Sequence, residues 1–129
     1  MLDGEGLWAI ARNDSEDARA VLASSREAGV PVLVPAIVLA ETLFGDSRDA
    51  RANQVLKRLQ VVPVSESVAR VAAELKRLAA MTGVAGNIGA LIVAISVAAG
   101  GGVVLTADVD DIDKLAGTVL DVRIRPVRV

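Results

Sequence analysis

From Met81 to Ala107 the chain carries no charged residue. A run of that length is either a membrane span or the central helix and strand of a buried core. Asn87 interrupts it near its start, and Gly100-Gly101-Gly102 divides it into a helix-like piece and a Val-rich strand-like piece. A buried helix, Ile88 to Ala99 with Asn87 as its cap, followed by a buried strand, Val103 to Leu105, is therefore expected, with no membrane contact.

The rest of the chain alternates in the same way. Asp14-Ser15 caps a helix through about Glu27, with Ala18, Val21, Leu22 and Ser25 inward and Gly29 closing it. Val30 to Val34 reads as a strand buried on both faces, and Pro35 opens a helix through Phe44, ended by Gly45. Ser47 to Leu59 and Ser67 to Ala80 have helical spacing, and Val61-Val62-Pro63-Val64 reads as an edge strand. A short helix from Asp111 to Leu115 and a half-exposed strand, Val122 to Arg125, finish the pattern. Helices alternating with short apolar strands predict an α/β fold with a parallel sheet covered on both faces, in one domain over residues 1–129.

Composition narrows the chemistry. The chain has no cysteine and no histidine. Disulfides, thiolate or imidazole metal sites and Ser-His-Asp catalysis are thereby excluded. Hydrolysis would have to rest on carboxylates, with a hard, oxygen-seeking cation. A net charge of −2 supplies no global field for nucleic acid, and one Trp, one Phe and no Tyr argue against binding single strands on aromatic platforms. No leader is visible after Met1, so a cytoplasmic location is expected.

In a parallel sheet, functional groups gather beyond the carboxyl ends of the strands. Asp3 follows Leu2, Glu41 follows the second apolar run, and Asp108 follows the strand ending near Thr106, so the three acids should converge at one edge. Glu41 has Ile37, Val38 and Phe44 as helical neighbours, and a carboxylate on such a face needs a cation or hydrogen bonds. The plain alternatives are a turn at Asp3-Gly4, a surface or Arg-paired Glu41, and a helix cap within Asp108, Asp110, Asp111 and Asp113.

Taken in order, Leu2-Asp3-x-x-x-Leu7, Ala40-Glu41-x-x-x-Gly45, Ala90-Leu91-Ile92-Val93-Ala94 and Leu105-Thr106-Ala107-Asp108-x-x-Asp111 resemble the PIN-domain family, and within it the short bacterial VapC-type toxins. No single piece is specific; the ordered set is. The resemblance implies a three-layer α/β/α fold around a short central parallel sheet of about five strands. It also implies a Mg²⁺- or Mn²⁺-dependent endoribonuclease acting on structured RNA such as transfer or ribosomal RNA, held silent by a VapB-type antitoxin, and a homodimer. Asp3, Glu41 and Asp108 fall on the family's first, second and fourth acids, with Asp111 as a nearby ligand and Thr106 as the polar residue before the fourth acid.

At the third acid the chain has Gly89 instead of aspartate. A missing ligand should weaken metal binding and slow the reaction, and glycine in a helix offers no stability reason for its presence. Asn87 or Asp110 could substitute. A catalytically silent protein that binds antitoxin or RNA is the alternative, and a carboxylate-metal enzyme acting on DNA a third. Arg12, Arg48, Arg51 and Lys57 could rim the site for RNA. The apolar faces around Ala52, Val55 and Leu56, and from Val68 to Leu78, are candidates for antitoxin or dimer contact.

Overall fold

The structure, a computed structural model, describes residues 1–84 and 86–129. Its elements are α1 (Gly4–Arg12), α2 (Glu16–Ala28), β1 (Leu33–Pro35), α3 (Ala36–Thr42), a 3₁₀ turn (Ser47–Asp49), α4 (Ala50–Leu56), β2 (Gln60–Val62), α5 (Glu66–Leu78), α6 (Asn87–Ala98), β3 (Gly102–Thr106), α7 (Val109–Ala116) and β4 (Ile124–Arg128).

Local signals account for most helix ends. Ser15 caps α2 by accepting from the Ala18 N–H at 3.2 Å, and Gly29 ends it at φ 65°. Ser65, two residues before the expected start, caps α5 by accepting from the Val68 N–H at 3.2 Å. The uncharged stretch folds as expected. Helix α6 is buried on nearly every side through Ile92, Val93, Ala94 and Ile95, and β3 buries Val104, Leu105 and Thr106. Ser96 is buried with them because its hydroxyl donates to the Ile92 carbonyl at 2.8 Å. Among the described residues, no helix is long and apolar enough to cross a membrane.

Two parallel pairs, β1 with β2 and β3 with β4, form the sheet. Leu2 joins them: its N–H donates to the Leu33 carbonyl at 2.9 Å, and it bridges to Leu105 in parallel sense. The strand order is thus β2, β1, Leu2, β3, β4, with a central member only one residue long in place of a full fifth strand. The chain's α3 and α4 pack with α1, while α5 and α7 pack with α6, giving helical groups around the sheet. This is the expected α/β class.

Several boundaries differ from expectation. Strand β1 begins only at Leu33, because pairing with Gln60–Val62 starts there, and Val30 is exposed. Helix α3 stops at Thr42, which leaves Phe44 in the following turn and 56% exposed. Ser47 to Leu59 divides into a 3₁₀ turn and the short α4. The last strand lies two residues later than read, and its Pro126 suits an edge position. On α5, Ala72 and Leu75 are buried whereas Val71 and Leu78 stay exposed.

Candidate functional site

The sheet's topology brings Asp3 and Asp108 together. Asp3 leaves the central bridge and caps α1, accepting from the Gly6 N–H at 2.7 Å, while its own N–H donates to the Leu105 carbonyl at 3.2 Å. Gly6 lets α1 approach this closely, since a Cβ there would lie 2.5 Å from the Leu105 carbonyl oxygen. Asp108 follows β3 directly and stands at the N-terminus of α7.

Thr106 links Asp3 to the backbone of Asp108. It is fully buried, its Oγ1 accepts from the Asp108 N–H at 2.9 Å, and its side chain also hydrogen-bonds the Asp3 carboxylate. Burial raises the Asp3 carboxyl pKa above its ordinary value; the bonds from Thr106 and Gly6 pull it down, and the charges of Glu5 and Asp108 push it up. Asp3 is therefore a desolvated carboxylate facing a second negative charge. The described residues include no arginine or lysine in ion-pair contact with either acid.

Glu41 does not occupy the apolar face expected for it. It is exposed in the last turn of α3, which ends one residue later at Thr42. It still belongs to the same neighbourhood: the adjacent Thr42 packs on Gly4, where a Cβ would lie 2.6 Å from Thr42 Oγ1. Asp111 is half-buried and Asp110 exposed in the first turn of α7.

Gly89 lies against α7. A Cβ at this position would sit 3.3 Å from Leu115 Cδ1 and 3.5 Å from Ile112 Cδ1. Those residues are four positions after Asp111 and Asp108, on the same side of the helix one turn further on. A side chain here would press on the terminal methyl of Leu115, which need move only slightly, so packing does not require glycine at this position. Asn87 is committed elsewhere. It opens α6 behind the cap residue Gly86, and its amide oxygen accepts from the Lys76 ammonium, so it is not the substitute ligand or the cap.

Among the described residues, no three carboxylates stand close enough together to enclose a metal ion. The donors that do meet, Asp3 and Asp108 beside the Thr106 hydroxyl, are hard oxygen atoms with uncompensated negative charge. That set fits Mg²⁺, which keeps much of its water and is commonly held by one or two carboxylates.

The three arginines expected at the rim sit on three different elements, α1, the 3₁₀ turn and α4. Arg12 is at the far end of α1, roughly 13 Å along the axis from Asp3 at 1.5 Å per residue. Its guanidinium sits 5.2 Å from the Trp8 ring centre. Arg48 is paired with Asp46 at 2.7 Å, and Arg51 is exposed on α4.

Sequence reading missed Asp49. It is 3% exposed, and its carboxylate accepts from the Phe44 N–H at 3.0 Å and the Gly45 N–H at 2.7 Å, so it closes the turn after α3. The Gly45-to-Asp49 spacing was the available signal, an acid placed to reach back to the backbone of a glycine turn.

The sequence model of the PIN domain matches residues 2–117. No curated protein matches the chain.

Proposed function

The chain belongs to the PIN-domain family, whose members are generally nucleases, and on that footing we propose that it is a Mg²⁺- or Mn²⁺-dependent endoribonuclease of the VapC toxin type, slowed by Gly89. The observation that carries the reading is the Asp3–Thr106–Asp108 junction: two carboxylates near one another at the carboxyl edge of a parallel sheet, with no basic partner in ion-pair contact. Asp108 is exposed while Asp3 is partly buried, and a partly desolvated carboxylate without a basic partner is a candidate for a functional role.

Asp3 and Asp108 would hold the cation, with Asp111 contributing from the half-buried first turn of α7. When bound, the cation makes a water more acidic and offsets charge developing on the phosphate. Thr106, which bonds the Asp3 carboxylate and the Asp108 backbone N–H, would hold the start of α7 beside Asp3. Glu41, exposed beside the Thr42–Gly4 contact, would add a further carboxylate at this edge. Gly89 leaves the face of α7 below Asp108 and Asp111 without a carboxylate. RNA as substrate, a VapB-type antitoxin as partner and a homodimer follow from the resemblance, and the exposed Val71 and Leu78 of α5 offer apolar surface for such contacts.

The test is cleavage of RNA by the purified chain with Mg²⁺ or Mn²⁺. Slow cleavage is expected, abolished by EDTA and reduced by roughly a hundredfold in Asp108→Asn, the scale of losing a main electrostatic contact in a reacting site. Cleavage that persists in EDTA or in Asp108→Asn would rule out the carboxylate site. Gly89 favours a second reading, a catalytically silent protein that binds antitoxin or RNA; a folded chain that binds RNA without cutting it would establish that reading instead.

A further inference from the structure

The chain's single Trp and single Phe, Trp8 and Phe44, lie 36 positions apart in the sequence, yet they meet in space. Their ring centroids are 6.2 Å apart with the planes tilted by 52°. Each ring is covered by a guanidinium: Arg12 lies 5.2 Å from the Trp8 centre and Arg48 4.0 Å from the Phe44 centre. Phe44 remains 56% exposed in spite of this. Burying such a ring is ordinarily favourable, so an exposed one held in a fixed position asks for an explanation.

The position is fixed from several directions. Asp49 takes the Phe44 and Gly45 N–H groups, Asp46 grips Arg48 through paired hydrogen bonds at 2.7 and 3.0 Å, and the Trp8 indole N–H donates to the Thr42 carbonyl at 3.4 Å. Asp46 neutralises Arg48, which therefore acts as a flat stacking plane more than as a free charge. Arg12 makes no ion pair among the described residues. The patch also joins the acid edge. Trp8 is roughly 7.5 Å along α1 from Asp3, about the length of two stacked nucleotides, and Phe44 is in the turn directly after Glu41 and Thr42.

We propose that the Arg12–Trp8–Phe44–Arg48 ladder is a stacking site for unpaired bases of single-stranded RNA, holding the strand beside the acids. Flat π-faces and guanidinium planes receive bases of any identity, and the free Arg12 meets a phosphate. The sparse aromatic content, which alone argues against such a platform, is concentrated in this one place. The proposal takes the substrate class from the nuclease reading, but it concerns binding and is tested without catalysis.

Trp8, as the only tryptophan, reports the contact directly. A short oligo-adenylate RNA is titrated in EDTA while Trp8 emission is followed, for the unmodified chain, Phe44→Ala and Phe44→Tyr, with far-UV circular dichroism to check folding. Saturable quenching is expected, weakened by roughly fivefold or more in Phe44→Ala and largely kept in Phe44→Tyr. Unchanged emission, equal binding by Phe44→Ala, or equal loss in both variants would overturn the proposal, and the first of these would leave the patch to a protein partner. Binding that obeys these expectations, followed by no cleavage when Mg²⁺ or Mn²⁺ is added, would sink the nuclease reading and leave the stacking site standing.

Discussion

Asp3→Asn is expected to lower metal-dependent RNA cleavage by roughly a hundredfold or more while leaving the fold as stable, or more stable. The two effects have one cause. Asp3 holds its negative charge in a desolvated place beside Asp108, so the charge costs the fold free energy that a bound cation would offset. Asparagine keeps the acceptor for the Gly6 N–H and is an equally good N-cap, so α1 should not fray.

The pH dependence follows from the raised carboxyl pKa. Near and above its ordinary value of 3.8, the folded protein holds the Asp3 proton more tightly than the unfolded chain does. The contribution of Asp3 to stability is therefore highest at low pH and falls as pH rises through the raised value. Thermal unfolding in EDTA across acid to neutral pH should show that fall in the unmodified chain and a smaller one in Asp3→Asn. A variant that keeps full cleavage, or one that is clearly less stable at neutral pH, would contradict this account of Asp3.

Asp49→Ala is expected to destabilise the protein by about 2 kcal/mol, since two backbone N–H groups lose a charged acceptor within a nearly closed turn. For a domain of this size that corresponds to a fall of about 8 °C in Tm. The loss is held to this scale because Phe44 and Gly45 are both exposed and water can reach part of the turn. Asp49→Asn keeps one acceptor and should lose less. A change in Tm under about 2 °C in Asp49→Ala would mean that the turn holds its shape without the carboxylate.

The contrast between Asp3 and Asp49 shows what the sequence makes legible. Helix α2 could be read from Ser15 and Gly29 because capping is decided within a few residues. Helix α6 and strand β3 could be read from one uncharged run cut by glycines. The meeting of Asp3 with Asp108 followed from parallel topology, which sends strand ends to one edge. Asp49 offered only its spacing from Gly45, because its role depends on where two turn N–H groups point once α3 has stopped.

The same limit explains the misreadings. Glu41 looked buried only while its helix was assumed to run on to Phe44. Val30 looked like strand because apolarity marks a buried run, but pairing begins only where β2 is available, at Leu33. Asn87 looked like a cap or a spare ligand until Lys76, eleven residues earlier, was seen to hold its amide oxygen. The neighbours of Gly89, Leu115 and Ile112, could not be read from the sequence because they lie on a different helix.

Gly89→Asp decides whether this edge is a carboxylate site lacking one member. Initial rates of RNA cleavage and Mn²⁺ affinity are compared for the unmodified chain, Gly89→Asp, and Gly89→Asp combined with Asp3→Asn, each checked for folding because Leu115 must yield to the new side chain. Restored ligation should raise both rate and affinity by at least about tenfold, and the added Asp3→Asn should remove the gain. A folded Gly89→Asp protein with neither faster cleavage nor tighter Mn²⁺ binding would contradict the placing of Gly89, Asp3 and Asp108 in one metal site.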